Sequence, residues 1–383
     1  MRQAADDAIL VEAPKRELAH EDGQVIGRLS LLNRLLPVWI FLAMAVGIGL
    51  GAVAPGVADA LDSARVGTIS FPIAAGLLWM MYPVLARVKY EELSRVGRAW
   101  RLFGMSLALN WVIGPLVMFA LAWLLLPDQP EYRTGLILVG LARCIAMVLV
   151  WNELAGGDRE DAAALVALNS VFQVLAYSLY AWVFLAILPR LLGLGTQEVD
   201  IGFWEVARSV LIFLGAPLAL GMATRAWGIR ARGRAWYEDE LMPRLAPTSL
   251  VALLFTIVVM FSLKGDVIVH APGDVVRIAL PLLGYFAVMF FAAFWLGWRS
   301  RSSYEETVAM SFTAAGNNFE LAIAVAIGTF GIASDQALAS VVGPLIEVPA
   351  LVALVYVALA LQRRLAFGRG RRDVPAAESM VEG

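Results

Sequence analysis

Ten apolar runs separated by short polar connections set the plan of the chain. They fall at about 36–54, 66–86, 102–126, 134–154, 163–189, 204–224, 245–263, 275–298, 307–330 and 337–361. Each is long enough to cross about 30 Å of hydrocarbon as a helix. A helix satisfies its own backbone in lipid and an open strand does not. The pattern therefore predicts an all-α polytopic membrane protein. A ten-helix domain is expected over 32–362, with tails at 1–31 and 363–383. The first 30 residues are polar and mixed in charge, so the first apolar run reads as a true span and not as a cleaved leader.

Charge fixes the orientation. With the N-terminus cytoplasmic, the segments on that side hold 23 Lys and Arg residues and the opposite connections hold four. That bias predicts cytoplasmic termini at both ends and residence in the cell membrane.

The spans also echo one another. "WIFLAMAVGIGLG" at 39–51 resembles "LIFLGAPLALGMA" at 211–223, and "ALNSVFQVLAYSLYAWVF" at 167–184 lies opposite "VVGPLIEVPALVALVYVA" at 341–358. The spacings, 172 and 174 residues, nearly agree. Two halves of five spans, about 32–190 and 204–362, would have opposite orientations, an inverted repeat of the kind transporters use. The competing reading is chance similarity between apolar helices. On the repeat, Cys144 matches Asn318 and span four matches span nine. Both spans place a glycine before a polar cluster: Gly140 before Arg143 and Cys144, Gly316 before Asn317, Asn318 and Glu320. Such clusters suit helices broken in mid-membrane, and matched breaks point to a substrate site at the midplane.

Composition narrows the chemistry. The chain is 60% hydrophobic with a mean hydropathy of +0.74 and only 16% charged residues, against about 25% in soluble domains. Its one cysteine excludes an internal disulfide, and its two histidines, His20 and His270, lie outside every span. Zinc, haem and intramembrane hydrolase chemistry lack their ligands or bases. No enzyme activity, cofactor or nucleic-acid partner is expected.

Glu320 stands out, because a carboxylate near a span centre costs several kcal/mol unless paired or protonated. It reads as a proton carrier or ligand, or as one half of a salt bridge with Arg143. Arg143 does not titrate usefully and reads as a counter-charge for Glu320 or for the bound solute. Cys144 reads either as a small buried hydrophobe or, with Arg143 favouring its thiolate, as a soft ligand. Asn110, Asn169 and Gln173 are candidates for a cavity wall, and Glu347, between Pro344 and Pro349, for function or for a kink. Trp100, Trp151, Trp295 and Trp298 suit an interfacial belt.

Four stretches carry a family likeness. "GLARCIAMVLVWNELAGGD" (140–158), "SFTAAGNNFELAIAVAIGTFGI" (311–332), "LNWVIGPLVMFALAWLLLPD" (109–128) and "VVGPLIEVP" (341–349) resemble arsenite-efflux permeases of the arsenical-resistance-3 type. These belong to the bile acid/arsenite/riboflavin transporter superfamily. The resemblance covers about residues 32–362. It implies ten spans, two inverted five-helix repeats and crossing broken helices four and nine. It further implies proton-coupled export of arsenite, and in some members antimonite. Cys144 falls on the family's essential span-four cysteine, where the metalloid would be held, and Glu320 on its essential span-nine glutamate. Arg143, Asn317 and Asn318 stand at matching positions. Gly316 departs from an expected serine. The rival is a sodium-coupled symporter of organic anions with the same fold, for which the thiol has no use.

Overall fold

The computed structural model describes residues 35–54, 56, 65–66, 69–95, 100–194, 203–269 and 272–367. The expected N-terminal tail, and the C-terminal tail from residue 368, lie outside the described residues. Among the described residues twelve helices carry the fold: α1 (Leu36–Val53), α2 (Phe71–Arg87), α3 (Trp100–Leu125), α4 (Pro130–Leu141), α5 (Met147–Leu154), α6 (Arg159–Leu191), α7 (Phe203–Arg232), α8 (Trp236–Ser262), α9 (Gly273–Arg299), α10 (Tyr304–Ala315), α11 (Phe319–Phe330) and α12 (Asp335–Arg364). Among the described residues six of these, α3, α6, α7, α8, α9 and α12, are long and apolar enough to cross a membrane, and α1, α2 and α11 are shorter apolar helices. The chain is an all-helical polytopic membrane protein.

The apolar runs at 134–154 and 307–330 are the ones that are divided. The first gives α4 and α5, and the second gives α10 and α11. The run expected from residue 66 becomes helical only at Phe71, after a two-residue antiparallel pair in which Arg65 faces Ser70.

Two groups of helices pack separately. In one, α8 lies against α1 and α2, and α7 against α2. Gly47 and Gly51 form the close crossing of α1 on α8. A Cβ there would come within 2.6 Å of the Val258 carbonyl oxygen and 2.4 Å of the Ser262 one, the small-residue contact that lets membrane helices approach. In the other group, α9 packs on α3, α10 and α12, while α12 packs on α4 and α11. Contacts of α7 with α6 and α11, of α1 with α12 and of α2 with α11 join the two groups.

A salt-bridge clasp closes one end of the first group. The side chain of Arg225 on α7 lies 2.6 Å from Glu91, on the turn after α2, and 2.8 Å from Glu238 on α8. Trp100, Trp295 and Trp298 are exposed, as a lipid-facing or interfacial ring requires. Trp151 is not: it is fully buried, so its place in the belt is corrected. It sits on α5, the half-helix after the break, which is itself packed into the interior.

Candidate functional site

The two breaks meet each other. The Cys144 amide donates to the Gly316 carbonyl at 3.3 Å, and the Asn318 amide donates to the Ala142 carbonyl at 3.1 Å. Arg143 and Asn317 thus face each other as an antiparallel bridge. Backbone groups freed from two helices in an apolar interior must find partners, and here each break supplies the other. Asn317 adds its side chain: its Nδ2 donates to the carbonyls of Val139 (3.0 Å) and Ala142 (3.2 Å) at the end of α4. Asn318 caps α11, its Oδ1 accepting from the Leu321 amide at 3.0 Å. Each asparagine spends one end of its amide on the breaks. The other ends, Asn317 Oδ1 and Asn318 Nδ2, are buried without a partner among the described residues.

Cys144 stands where the segments cross. A Cβ on Gly316 would lie 2.9 Å from the Cys144 Cβ and 3.5 Å from its sulfur. The Gly316 backbone is extended, so it is this space, and not an unusual torsion, that favours glycine here. The thiol is 3% exposed. Its ionisable neighbours are Glu347 and Glu320.

Glu320 lies in the first turn of α11, half-buried, on the wall of a cavity of about 320 Å³. The cavity runs between α2, α5 and α8, and Arg87, Met147 and Ser249 also line it. Cys144 does not line it.

Arg143 points away from Glu320. Its Nη1 donates to the Tyr285 hydroxyl at 2.5 Å, and a Cβ on Gly114 would lie 2.8 Å from that nitrogen. The guanidinium therefore fills a notch that Gly114 leaves in α3, next to a π-helical turn at Leu109–Ile113. Neither a Glu320 counter-charge nor a thiolate-favouring neighbour for Cys144 describes this geometry. Adjacent positions on an extended segment face opposite ways, and Arg143 and Cys144 do so. Gln173 accepts from the Arg143 amide at 2.9 Å. Asn169 accepts from Trp111 at 3.0 Å, and Asn110 donates back to Ser106 at 2.8 Å. These three and Glu347 are buried and do not line the cavity expected of them.

Known proteins supply the family. A model described as "Sodium Bile acid symporter family" matches residues 74–271. The chain is 54% identical over 338 residues to the arsenical-resistance protein Acr3 of Corynebacterium glutamicum, covering 88% of this chain and 91% of that one. The chain belongs to the Acr3 family. Acr3 of Alkaliphilus metalliredigens is 30% identical over 351 residues, 88% of this chain and 94% of its own. A Synechocystis protein named as an uncharacterized transporter is 34% identical over 349 residues, 86% and 88% of the two chains. The Acr3 and symporter families are transporters, and this chain is a membrane-embedded, multi-pass member.

Several residues near this Acr3-family site escaped the sequence reading. Tyr285 was legible in principle, because a tyrosine in mid-span, away from the interfacial belt, needs a polar partner. Arg87, Met147 and Ser249 carry no such mark. A helix-end arginine, an apolar methionine and a lone serine become wall residues only through the packing of three separate helices.

Proposed function

We propose that the protein exports arsenite from the cytoplasm in exchange for protons, using ten spans arranged as two inverted five-helix repeats with both termini cytoplasmic. The observation that carries this reading is the mutual pairing of the two breaks, which sets the only cysteine of the chain beside Gly316, with Glu320 nearby on a cavity wall. The relatives named Acr3 are arsenical-resistance proteins, and the metalloid is carried over from them.

Neutral trihydroxyarsenic has a soft centre and hard hydroxyls. A thiol suits the first and the free amide ends and carboxyl suit the second. Single-point attachment at Cys144 holds the solute without trapping it. The thiol sulfur replaces one arsenic hydroxyl, and the thiol proton leaves with that hydroxyl as water; hydrolysis reverses the step. A neutral cargo gains nothing from membrane potential, whereas a counter-moving proton gains about 2.3 kcal/mol per 100 mV. Glu320 is the coupling group in this scheme. Its carboxylate accepts from an arsenite hydroxyl, and protonation from the far side weakens that bond.

The cavity opens beside Arg87 and Pro243, next to connections dense in arginine, which fits a cytoplasm-facing state. Arsenite uptake into everted vesicles tests the reading. Accumulation should follow an imposed pH gradient. Uptake that needs sodium and ignores protons would instead establish the symporter.

A further inference from the structure

The cavity reaches Glu320 but stops short of Cys144. Its wall nevertheless carries one sulfur. Met147, the first residue of α5, lines the cavity with Glu320 and is partly exposed, while Cys144, three positions earlier, is 3% exposed. Among the other lining residues only Arg87, Ser249 and Glu320 carry polar side chains.

We infer that the Met147 thioether is the first soft contact for arsenite, a specificity-determining residue that receives the metalloid in the cavity before it reaches Cys144. The inference deepens the export reading and rests on it. A thioether is polarizable, has no proton to lose and forms no covalent bond to arsenic under these conditions. It selects for a soft centre by contact alone. Glu320 and Ser249 offer oxygens to the hydroxyls on the same wall. The Ser249 hydroxyl donates to Ala246 at 2.9 Å, which leaves its lone pairs free to accept. Soft and hard contacts thus face the two chemistries of one small solute. The neighbouring wall, built by Pro83, Val84, Pro247 and Leu253, is apolar and indifferent to both. Met147 also begins the half-helix that follows the break, so the chain leads from the thioether to the thiol within three residues.

The test is Met147→Leu in everted vesicles. Leucine keeps the volume, the apolar character and the helix compatibility of methionine and removes only the sulfur. The KM for arsenite should rise about three- to tenfold with kcat little changed, the size of a lost sulfur contact. Antimonite, which is softer, should lose competitive potency by at least as much. Val150 lines the same wall one turn further along α5. Val150→Met in the Met147→Leu background should recover part of the KM, and Val150→Met alone should lower it, which keeps the test alive if Met147→Leu does not reach the membrane. A wild-type KM and wild-type antimonite inhibition in well-inserted Met147→Leu overturn the inference. Failure of the export reading looks different: wild-type vesicles would then take up no arsenite at all.

Discussion

At the scale of single residues, the lone thiol and the two charges near it have separate surroundings. Cys144 packs against Gly316, whereas the Arg143 guanidinium lies in the α3 notch against Tyr285. Cys144→Ser replaces a soft donor by a hard one at nearly constant size, and should abolish arsenite uptake in vesicles while leaving the amount of folded protein in the membrane unchanged. Glu320→Gln keeps the shape and removes the titration. It should lose uptake driven by a pH gradient while arsenite exchange across vesicles without a gradient persists. A glutamine variant that still follows the gradient would move coupling to Glu347. Gly114→Ala places a methyl 2.8 Å from the Arg143 Nη1. Overpacking of that kind costs about 1–3 kcal/mol, to be read as a lower midpoint of thermal unfolding in detergent.

At the scale of elements, the two breaks behave as one unit. Asn317 holds the carboxyl end of α4 from the other half of the chain. Asn317→Ala removes the second donor from each of two carbonyls, Val139 and Ala142, which keep the amides of Ala142 and Asn318. It should cost about 0.5–1.5 kcal/mol of stability for each hydrogen bond lost across the breaks, and it should reduce transport in parallel. Asn317→Asp should be worse, because it offers an acceptor where a donor is needed. Both measurements can be made on one detergent preparation. The existence of the breaks was legible from a glycine followed by short polar residues inside apolar runs 134–154 and 307–330. What each asparagine does was not, because either end of an amide can serve the backbone, and only the crossing of α4 with α11 decides which. The same limit applies to Arg143 and Cys144. Sequence puts them side by side, and an extended backbone sends them to opposite faces. Asn110, Asn169 and Gln173 do not line the cavity that Glu320 lines. One end of each amide bonds to Ser106, Trp111 or the Arg143 amide, and the other end, Asn110 Oδ1, Asn169 Nδ2 or Gln173 Nε2, is buried without a partner among the described residues.

At the scale of the whole molecule, the cavity lies between α2 and α8 of the first group and α5, with Glu320 of α11 on its wall. The first group is tied at one end by Arg225, Glu91 and Glu238. Burial pushes the Glu91 carboxyl up, but the hydrogen bond and charge of Arg225 outweigh it and hold the group below its ordinary value. A carboxyl lowered in the folded state adds stability above its unfolded pKa and loses it as pH falls through the folded one. Glu91→Gln should therefore lower the unfolding midpoint at pH 7, and the gap from wild type should narrow in acid. The apolar runs made this plan readable, since length and hydropathy alone set most helix limits. The division into two groups was not readable, because lipid-facing and protein-facing surfaces are equally apolar in spans such as α1 and α8. The pairing of the breaks has a further consequence for how the protein is made. Residues 142–144 leave the ribosome some 174 residues before their partners at 316–318. Throughout that interval the first half of the chain sits in the bilayer with main-chain groups that only the second half can satisfy. Neither half is a finished protein, and a chain truncated before residue 316 should be a substrate for membrane quality-control proteases.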